Sequence, residues 1–225
     1  MDGAPGLGKT TAMQRLFTQT TGVYLRAQSG WTYPWFLNTL LEALAEPVPT
    51  KVEDRFKAVL NKLDDLAFAA HAQGETFSMI IDECDLISNR PKIMEAIRGI
   101  SDVKQVPTVL VGMGRLRHDL RRFPQINSRA AHKVQFLPAT HEDARALINA
   151  LCEVPVSPEL IKFVWRVSKG FNREILNAIA NMEAVGKRLD LDEYGLTLAD
   201  MAGQKILQDR DTGEAVIVPE VNYAQ

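Results

Sequence analysis

Hydrophobic residues in the first half of the chain follow two patterns that alternate. Short, nearly continuous apolar runs at 22–27, 77–82 and 107–112 are typical of strands buried on both faces of a parallel sheet. Between these runs, apolar residues recur at helical spacing, most clearly from about Val52 to Ala72. A further strand is predicted at 130–137. Strands that alternate with helices indicate an α/β fold, with a parallel sheet flanked by helices.

The second half of the chain is patterned differently. After Pro138, apolar residues recur at helical spacing, and Thr140 followed by Asp143 is a typical helix start. The predicted helices lie at about 142–152, 158–168 and 172–187. Further on the pattern weakens, and we expect one more helix near 198–207 and a hairpin at the turn signal 210–213.

These patterns divide the chain into three parts. We predict an α/β domain at 1–138, a small all-helical domain at 139–189 and a C-terminal extension at 190–225. A chain of 225 residues is long enough for one core of this kind and a smaller second domain.

Composition narrows the class of protein. The net charge of −2 gives no global sign of nucleic-acid binding, so any contact with DNA has to come from a local basic patch. Cys84 and Cys152 are the only cysteines, which does not suggest a disulfide framework. No apolar run is long enough to span a membrane and no secretory signal is visible, so we expect a cytoplasmic protein without a membrane partner.

The first stretch that indicates chemistry is GAPGLGKT at 3–10, which fits the Walker A pattern G-x-x-x-x-G-K-[ST]. Glycines let backbone N–H groups turn inward around a phosphate, Lys9 can reach the outer phosphates, and the Thr10 hydroxyl can bind Mg²⁺. The predicted nucleotide-binding residues of this stretch are Gly3, Ala4, Pro5, Gly6, Leu7, Gly8, Lys9, Thr10 and Thr11. Only Met1 and Asp2 precede the loop, so we expect the first core strand to be missing.

The second such stretch is the apolar run at 77–81 followed by Asp82 and Glu83, which is a Walker B pattern. Carboxylates at the carboxyl end of a buried parallel strand lie where α/β sheets bind ligands. Asp82 is therefore predicted to hold Mg²⁺, and Glu83 to orient or deprotonate an attacking water. Together the two stretches predict a site for ATP and Mg²⁺.

Five segments carry a family resemblance. The chain resembles AAA+ ATPases, and more closely the DNA-transposition ATPases of the phage Mu B type. The matching segments are GAPGLGKT at 3–10, MIIDECDLI at 79–87, VLVGMGRL at 109–116, NSRAAHKV at 127–134 and GFNREILN at 170–177. The Walker stretches are specific for the broad class, whereas the other three are individually weak.

The resemblance implies further site residues. Arg129, after Ser128, falls where an arginine finger would reach a neighbouring subunit's nucleotide, and Arg121 and Arg122 compete for that role. Arg173 falls where a sensor arginine would touch the phosphates bound by its own subunit. The position commonly occupied by asparagine in the Mu B-like family is Met113 here, which cannot polarise a water, so we expect slow hydrolysis.

The resemblance also implies where DNA is held. Loops after the second and third strands would grip the DNA backbone, which needs cations and no base readout. The candidates on these loops are Arg26, Trp31, Arg90 and Lys92. A second group of basic residues is crowded around a single acid, Asp119, and consists of Arg115, Arg117, His118, Arg121 and Arg122.

The resulting hypothesis is an ATPase that binds ATP with Mg²⁺ and assembles on duplex DNA as a homo-oligomer, a helical filament or a ring. By resemblance it would select target DNA and activate a transposase, in a bacterium or a phage-infected host. Two alternatives stay open. One is an AAA+ ATPase of the secretion-associated type, and the other is a nucleotide-dependent switch or scaffold with little turnover.

Overall fold

The structure, a computed structural model, describes residues 1–130 and 132–220. Its regular elements follow one another from an α/β region into a helical region with a terminal hairpin. In chain order they are α1 (Lys9–Phe17), β1 (Gly22–Arg26), α2 (Tyr33–Ala43), α3 (Val52–Ala72), β2 (Ser78–Asp82), a 3₁₀ turn (Cys84–Leu86), α4 (Pro91–Lys104), β3 (Thr108–Leu110), α5 (Gly114–Leu120), α6 (Pro124–Asn127), α7 (His141–Leu151), α8 (Pro158–Val167), α9 (Asn172–Gly186), β4 (Lys205–Gln208) and β5 (Ala215–Ile217).

Contacts divide the chain into two compact units. The first unit comprises residues 1–5 and 9–136, and the second comprises residues 6–8 together with those from 137 onward. The glycine-rich loop at 3–10 therefore contributes residues to both units. Within the described ranges, no helix combines the length and the apolar character needed to cross a membrane.

A parallel sheet forms the centre of the first unit, in the order β1, β2, β3. Tyr24 pairs with Ile80, and Ile80 pairs with Val109. The middle strand is apolar from Met79 to Ile81 because it is covered on both faces. Met79 and Ile81 pack against one layer, whereas Ile80 belongs to a smaller cluster with Met13 of α1. This arrangement confirms the α/β class with a parallel sheet flanked by helices.

The larger face of the sheet carries most of the hydrophobic core. Helix α2 begins at Tyr33, where the Thr32 side chain caps it and Pro34 lies in the first turn. Four consecutive core positions of α2 are completely buried, namely Phe36, Leu37, Leu40 and Leu41. Each such side chain contributes roughly 1.5–3 kcal/mol to stability through burial. This layer therefore fixes the strands whose carboxyl ends carry the acids.

The strand predicted at 130–137 is wrong as an element. Ala131 lies outside the described residues, and the rest of the segment makes one isolated parallel bridge, between Gln135 and Asp2. The Asp2 N–H donates to the Val134 carbonyl at 3.0 Å, and the Phe136 N–H donates to the Asp2 carbonyl at 2.7 Å. The segment does not continue as a strand because, among the described residues, only Asp2 lies beside it as a backbone hydrogen-bonding partner.

Helices α7, α8 and α9 build the second unit with the terminal hairpin. Thr140 and Asp143 form the predicted capping box of α7. Core residues from the helices pack with others from the C-terminal stretch, including Leu196, Met201, Ile206 and Leu207. The helix expected near 198–207 is wrong, since this stretch forms turns and then strand β4. The hairpin is present, with β4 antiparallel to β5; residues 221–225 of the extension lie outside the described residues.

Candidate nucleotide site

Two side chains of the glycine-rich loop are fixed by hydrogen bonds inside the first unit. The Lys9 ammonium donates to the carbonyls of Gly3 and Ala4, each at 2.8 Å. The Thr10 hydroxyl donates to Asp82 Oδ2 at 2.7 Å. Both residues lie in the first turn of α1, and Thr11 follows them on the exposed side of the helix. The two predicted Mg²⁺ residues, Thr10 and Asp82, are thus brought into contact although 72 positions separate them in sequence.

Asp82 is the centre of the polar network, and its side chain is almost completely buried. Besides Thr10, the Tyr24 hydroxyl donates to Asp82 Oδ2 at 2.8 Å. The Glu83 N–H donates to the other carboxylate oxygen at 2.8 Å. Three donors around one buried carboxylate fix the orientation of its two oxygens.

Tyr24 was not predicted as a site residue. It lies on β1, where it pairs with Ile80, two residues before Asp82 on the neighbouring strand. Burial, and next the hydrogen bond to Asp82, raises the pKa of the Tyr24 hydroxyl well above its ordinary value. The group therefore stays protonated and keeps donating at neutral pH. The sequence gives no signal for this role, because a tyrosine in an apolar strand is explained equally well by packing in the core.

Glu83 occupies a special backbone position directly after the strand. Its φ of 58° and ψ of 35° place it in the left-handed region, which few residues other than glycine adopt. Its carboxylate faces Arg26 at the end of β1, with Nη2 and Oε1 3.4 Å apart. The Arg26 side chain is 70% exposed, so this ion pair is screened by water and weak. One of the predicted DNA contacts is therefore paired with the predicted catalytic base.

The oxygen donors present fit a magnesium ion. Mg²⁺ prefers hydroxyl, carboxylate and water oxygens and is held in proteins through one or two carboxylates. The Thr10 hydroxyl and the Asp82 carboxylate are adjacent, and hydrogen bonds from the Tyr24 hydroxyl and the Glu83 N–H orient the carboxylate.

The middle of the glycine-rich loop belongs to the second unit. Gly6 and Gly8 have φ of +87° and +82°, values that side chains rarely tolerate. The Arg173 N–H donates to the Gly6 carbonyl at 3.1 Å, and the Asn172 side-chain amide donates to the Leu7 carbonyl at 3.2 Å. The first turn of α9 therefore holds the loop backbone. The Arg173 side chain itself is exposed.

Asp85 is a second buried acid that sequence reasoning missed. Its carboxylate accepts the N–H of Leu116 at 2.7 Å and also that of Met113, which caps the start of α5. A side chain on Gly112 would overlap this carboxylate, so glycine is required there. The Met113 side chain stands at the start of this helix and brings no polar atom that could bind a phosphate.

The remaining predicted residues are dispersed. Trp31 is completely buried in the core of the first unit, so its prediction as a DNA contact is wrong, because it exposes no surface on which a base could stack. Arg90 and Lys92 are exposed at the start of α4. Arg129 follows α6, is 68% exposed and lies 3.7 Å from a carboxylate oxygen of Asp102.

A family model described as an AAA domain matches residues 1–120, more than half of the chain. The chain therefore belongs to the AAA domain family, and its fold is that of the P-loop nucleotide-binding proteins of this class. A search of curated protein sequences gives no significant match.

Two solved structures share this fold. The ORC1 protein of Aeropyrum pernix in complex with DNA is 18% identical, with a TM-score of 0.59 over 83% of this chain and 53% of that one. Cdc6p of Pyrobaculum aerophilum is 15% identical, with a TM-score of 0.58 over 83% of this chain and 55% of that one. The chain spans about half the length of these structures.

Proposed function

We propose that this AAA-family chain binds ATP with Mg²⁺ and hydrolyses it. The observation that carries the proposal is the contact between Thr10 and Asp82 at 2.7 Å, since it joins the glycine-rich loop to the acidic end of β2. Magnesium, when bound, neutralises charge on the phosphates. Thr10 and Asp82 would hold the ion, while the Tyr24 hydroxyl keeps the Asp82 carboxylate oriented.

The other residues of the loop have complementary roles in this proposal. The residues from Gly3 to Gly8, apart from Pro5, supply backbone N–H groups at the amino end of α1, where the helix dipole also favours an anion. Lys9 exchanges its two carbonyl acceptors for phosphate oxygens. Arg173, at the start of α9, adds a further cation toward the phosphates.

Substitution of Lys9 tests nucleotide binding. Lys9→Ala removes a charge-assisted contact of roughly 1.5–3 kcal/mol, so ATP affinity in calorimetry should fall about 10- to 150-fold. Lys51→Ala, an exposed lysine before α3, is the matched control and should bind as the parent does. Unchanged affinity in Lys9→Ala would refute the site.

Glu83 would orient or deprotonate the attacking water, because it follows the Asp82 ligand and is only partly buried. Glu83→Gln keeps the shape but loses the proton-accepting charge. It should bind ATP normally and lose turnover, measured as released phosphate, by 10²-fold or more. Turnover at the parental rate would exclude Glu83 as the catalytic base.

We further propose that the protein assembles on duplex DNA as a homo-oligomer and prepares target DNA for a transposase. Support comes from the five Mu B-like segments, and from the DNA present with the ORC1 protein of similar fold. Arg26, Arg90 and Lys92 are the exposed cations proposed for the DNA backbone. Two measurements would test this role: stimulation of ATP turnover by duplex DNA, and stimulation of a cognate transposase by this protein with ATP and DNA. The proposed role implies a location in the cytoplasm.

In such an assembly Arg129 would act on a neighbour's nucleotide. Fingers acting between subunits contribute roughly 10³–10⁵-fold to turnover in other phosphate-loop enzymes. Arg129→Ala should bind ATP normally and lose DNA-stimulated turnover. Mixing it with Lys9→Ala should restore activity, because a subunit with an intact loop then meets an intact finger. Co-assembly without rescue would refute the shared site.

A second candidate function is a nucleotide-dependent switch with little turnover. Met113 favours it, since this position offers a thioether in place of a polar group. Met113→Asn should accelerate phosphate release if the position limits hydrolysis. An unchanged rate would show that another group serves there.

A further inference from the structure

One segment of the first unit has a marked excess of basic over acidic residues. Positions 114–136 contain six lysines and arginines and a single acid, Asp119, in a chain whose net charge is −2. This segment therefore carries +5, and the rest of the chain carries −7. A local charge of this size against an acidic background is the electrostatic signature of a polyanion-binding surface.

Helix α5 and the turn that follows it present several of these residues to solvent. Leu116 and Asp119 are buried, as is Phe123 just after the helix. The outward set comprises Arg115, His118, Arg121 and Arg122, all exposed. Arg115 and His118 lie three residues apart on α5, Arg121 is the residue that ends the helix, and Arg122 lies in the turn that follows; at 1.5 Å per residue the set extends over about 10 Å. We call this set the α5 basic surface.

Its charge is only partly neutralised. Arg115 Nε lies 3.5 Å from Asp119 Oδ2, in a pair with a 63% exposed arginine that water screens. Arg121 and Arg122 have no carboxylate partner among residues 1–130 and 132–220. Two full positive charges therefore project from this surface into solvent.

Helix α5 is also hydrogen-bonded to the segment that follows β2. The Ser88 hydroxyl donates to Asp119 Oδ2 at 2.5 Å, and Asp85 accepts the Leu116 N–H at 2.7 Å. Both Ser88 and Asp85 belong to the stretch that leaves β2 directly after Glu83. These two buried bonds attach α5 to the segment that directly follows the acids.

We propose that the α5 basic surface binds the phosphate backbone of duplex DNA, in addition to Arg26, Arg90 and Lys92. The choice of partner rests on the proposed function. The surface presents flexible cations without an apolar slot for a base, which fits contact with the sugar-phosphate backbone irrespective of sequence. Duplex DNA presents one charge per about 1.7 Å of its axis, so a 10 Å patch faces several phosphates.

Fluorescence anisotropy with a short labelled duplex of mixed sequence tests the proposal, with and without ATP. The test variant is Arg121→Glu with Arg122→Glu. The control is Arg145→Glu with Lys162→Glu, which makes the same charge change at exposed positions of α7 and α8. We expect the test variant to lose at least about tenfold in affinity. Its slope of log affinity against log salt should also become less steep by about 1.8, the value for two phosphate contacts.

A milder variant guards against loss of folding. Arg121→Gln with Arg122→Gln removes the charges without reversing them, and should show the same change of slope with a smaller loss of affinity. Parental affinity and slope in both test variants, or an equal loss in the control, would overturn the proposal. If the parent still showed DNA-stimulated turnover, the proposed function would survive that result. A parent that binds no duplex at all would overturn both.

Discussion

Substitution of Asp85 offers a quantitative test of how the site is held together. The carboxylate accepts two backbone N–H groups at the start of α5 and is buried, so its loss cannot be compensated by water. Asp85→Asn keeps the shape. Its carbonyl oxygen can accept one N–H, but its NH₂ group then faces the other, and one charge-assisted bond is lost.

The size of the effect follows from that lost bond. A hydrogen bond to a charged group contributes roughly 1.5–3 kcal/mol, so the opening of α5 should become about 10- to 150-fold more favourable. Hydrogen exchange measured by mass spectrometry on peptides covering residues 113–120 reports this opening directly. Amides of α7, in the other unit, should exchange at the parental rate.

Asp143→Asn is the matched control, because the Asp143 carboxylate also accepts hydrogen bonds at a helix start, from the Thr140 N–H and hydroxyl, but is exposed. It should accelerate exchange at the start of α7, by less than the buried substitution does in α5, and leave α5 unchanged. If Asp85→Asn left the exchange of residues 113–120 at the parental rate, the carboxylate would not be what fixes α5 to the end of β2.

Three further outcomes are expected. Tyr24→Phe removes the donor to Asp82 and should lower the free energy of unfolding by roughly 1.5–3 kcal/mol in urea titration, whereas an unchanged value would show that the bond is dispensable. Trp31→Phe should cost less than Trp31→Ala, for which roughly 3–5 kcal/mol is expected in the same assay, because phenylalanine still fills most of the buried site and the lost indole N–H has no hydrogen-bond partner in residues 1–130 and 132–220; an equal cost for both variants would contradict this. The N–H groups of Thr212 and then Asp211 lower the pKa of Asp209 below its ordinary value of 3.8. The β4–β5 turn should therefore be fully stabilised by this carboxylate above pH 3.8 and lose that stabilisation as the pH falls through the lowered pKa. Hydrogen exchange of the hairpin that did not change on acidification would contradict this.

Local sequence patterns predict several helices and strands of this protein. The apolar runs at 22–27 and 77–82 located β1 and β2 closely, since a strand covered on both faces has to be apolar throughout. Helix α3 was predicted with its observed bounds, because 21 residues give several repeats of the helical period. The capping box of α7 was likewise visible, since its two side chains are three positions apart.

Other features depend on contacts between distant positions, and only the tertiary structure decided them. Residues 198–207 have a helix-like composition, but pairing of Lys205–Gln208 with β5 satisfies their backbone as a strand instead. Trp31 was expected near DNA and is buried, because the helices around it close over its ring. Tyr24, Asp85 and the pairing of Arg26 with Glu83 each join segments far apart in the chain. A single sequence records which side chains are available, whereas the packing of the sheet determines which of them meet.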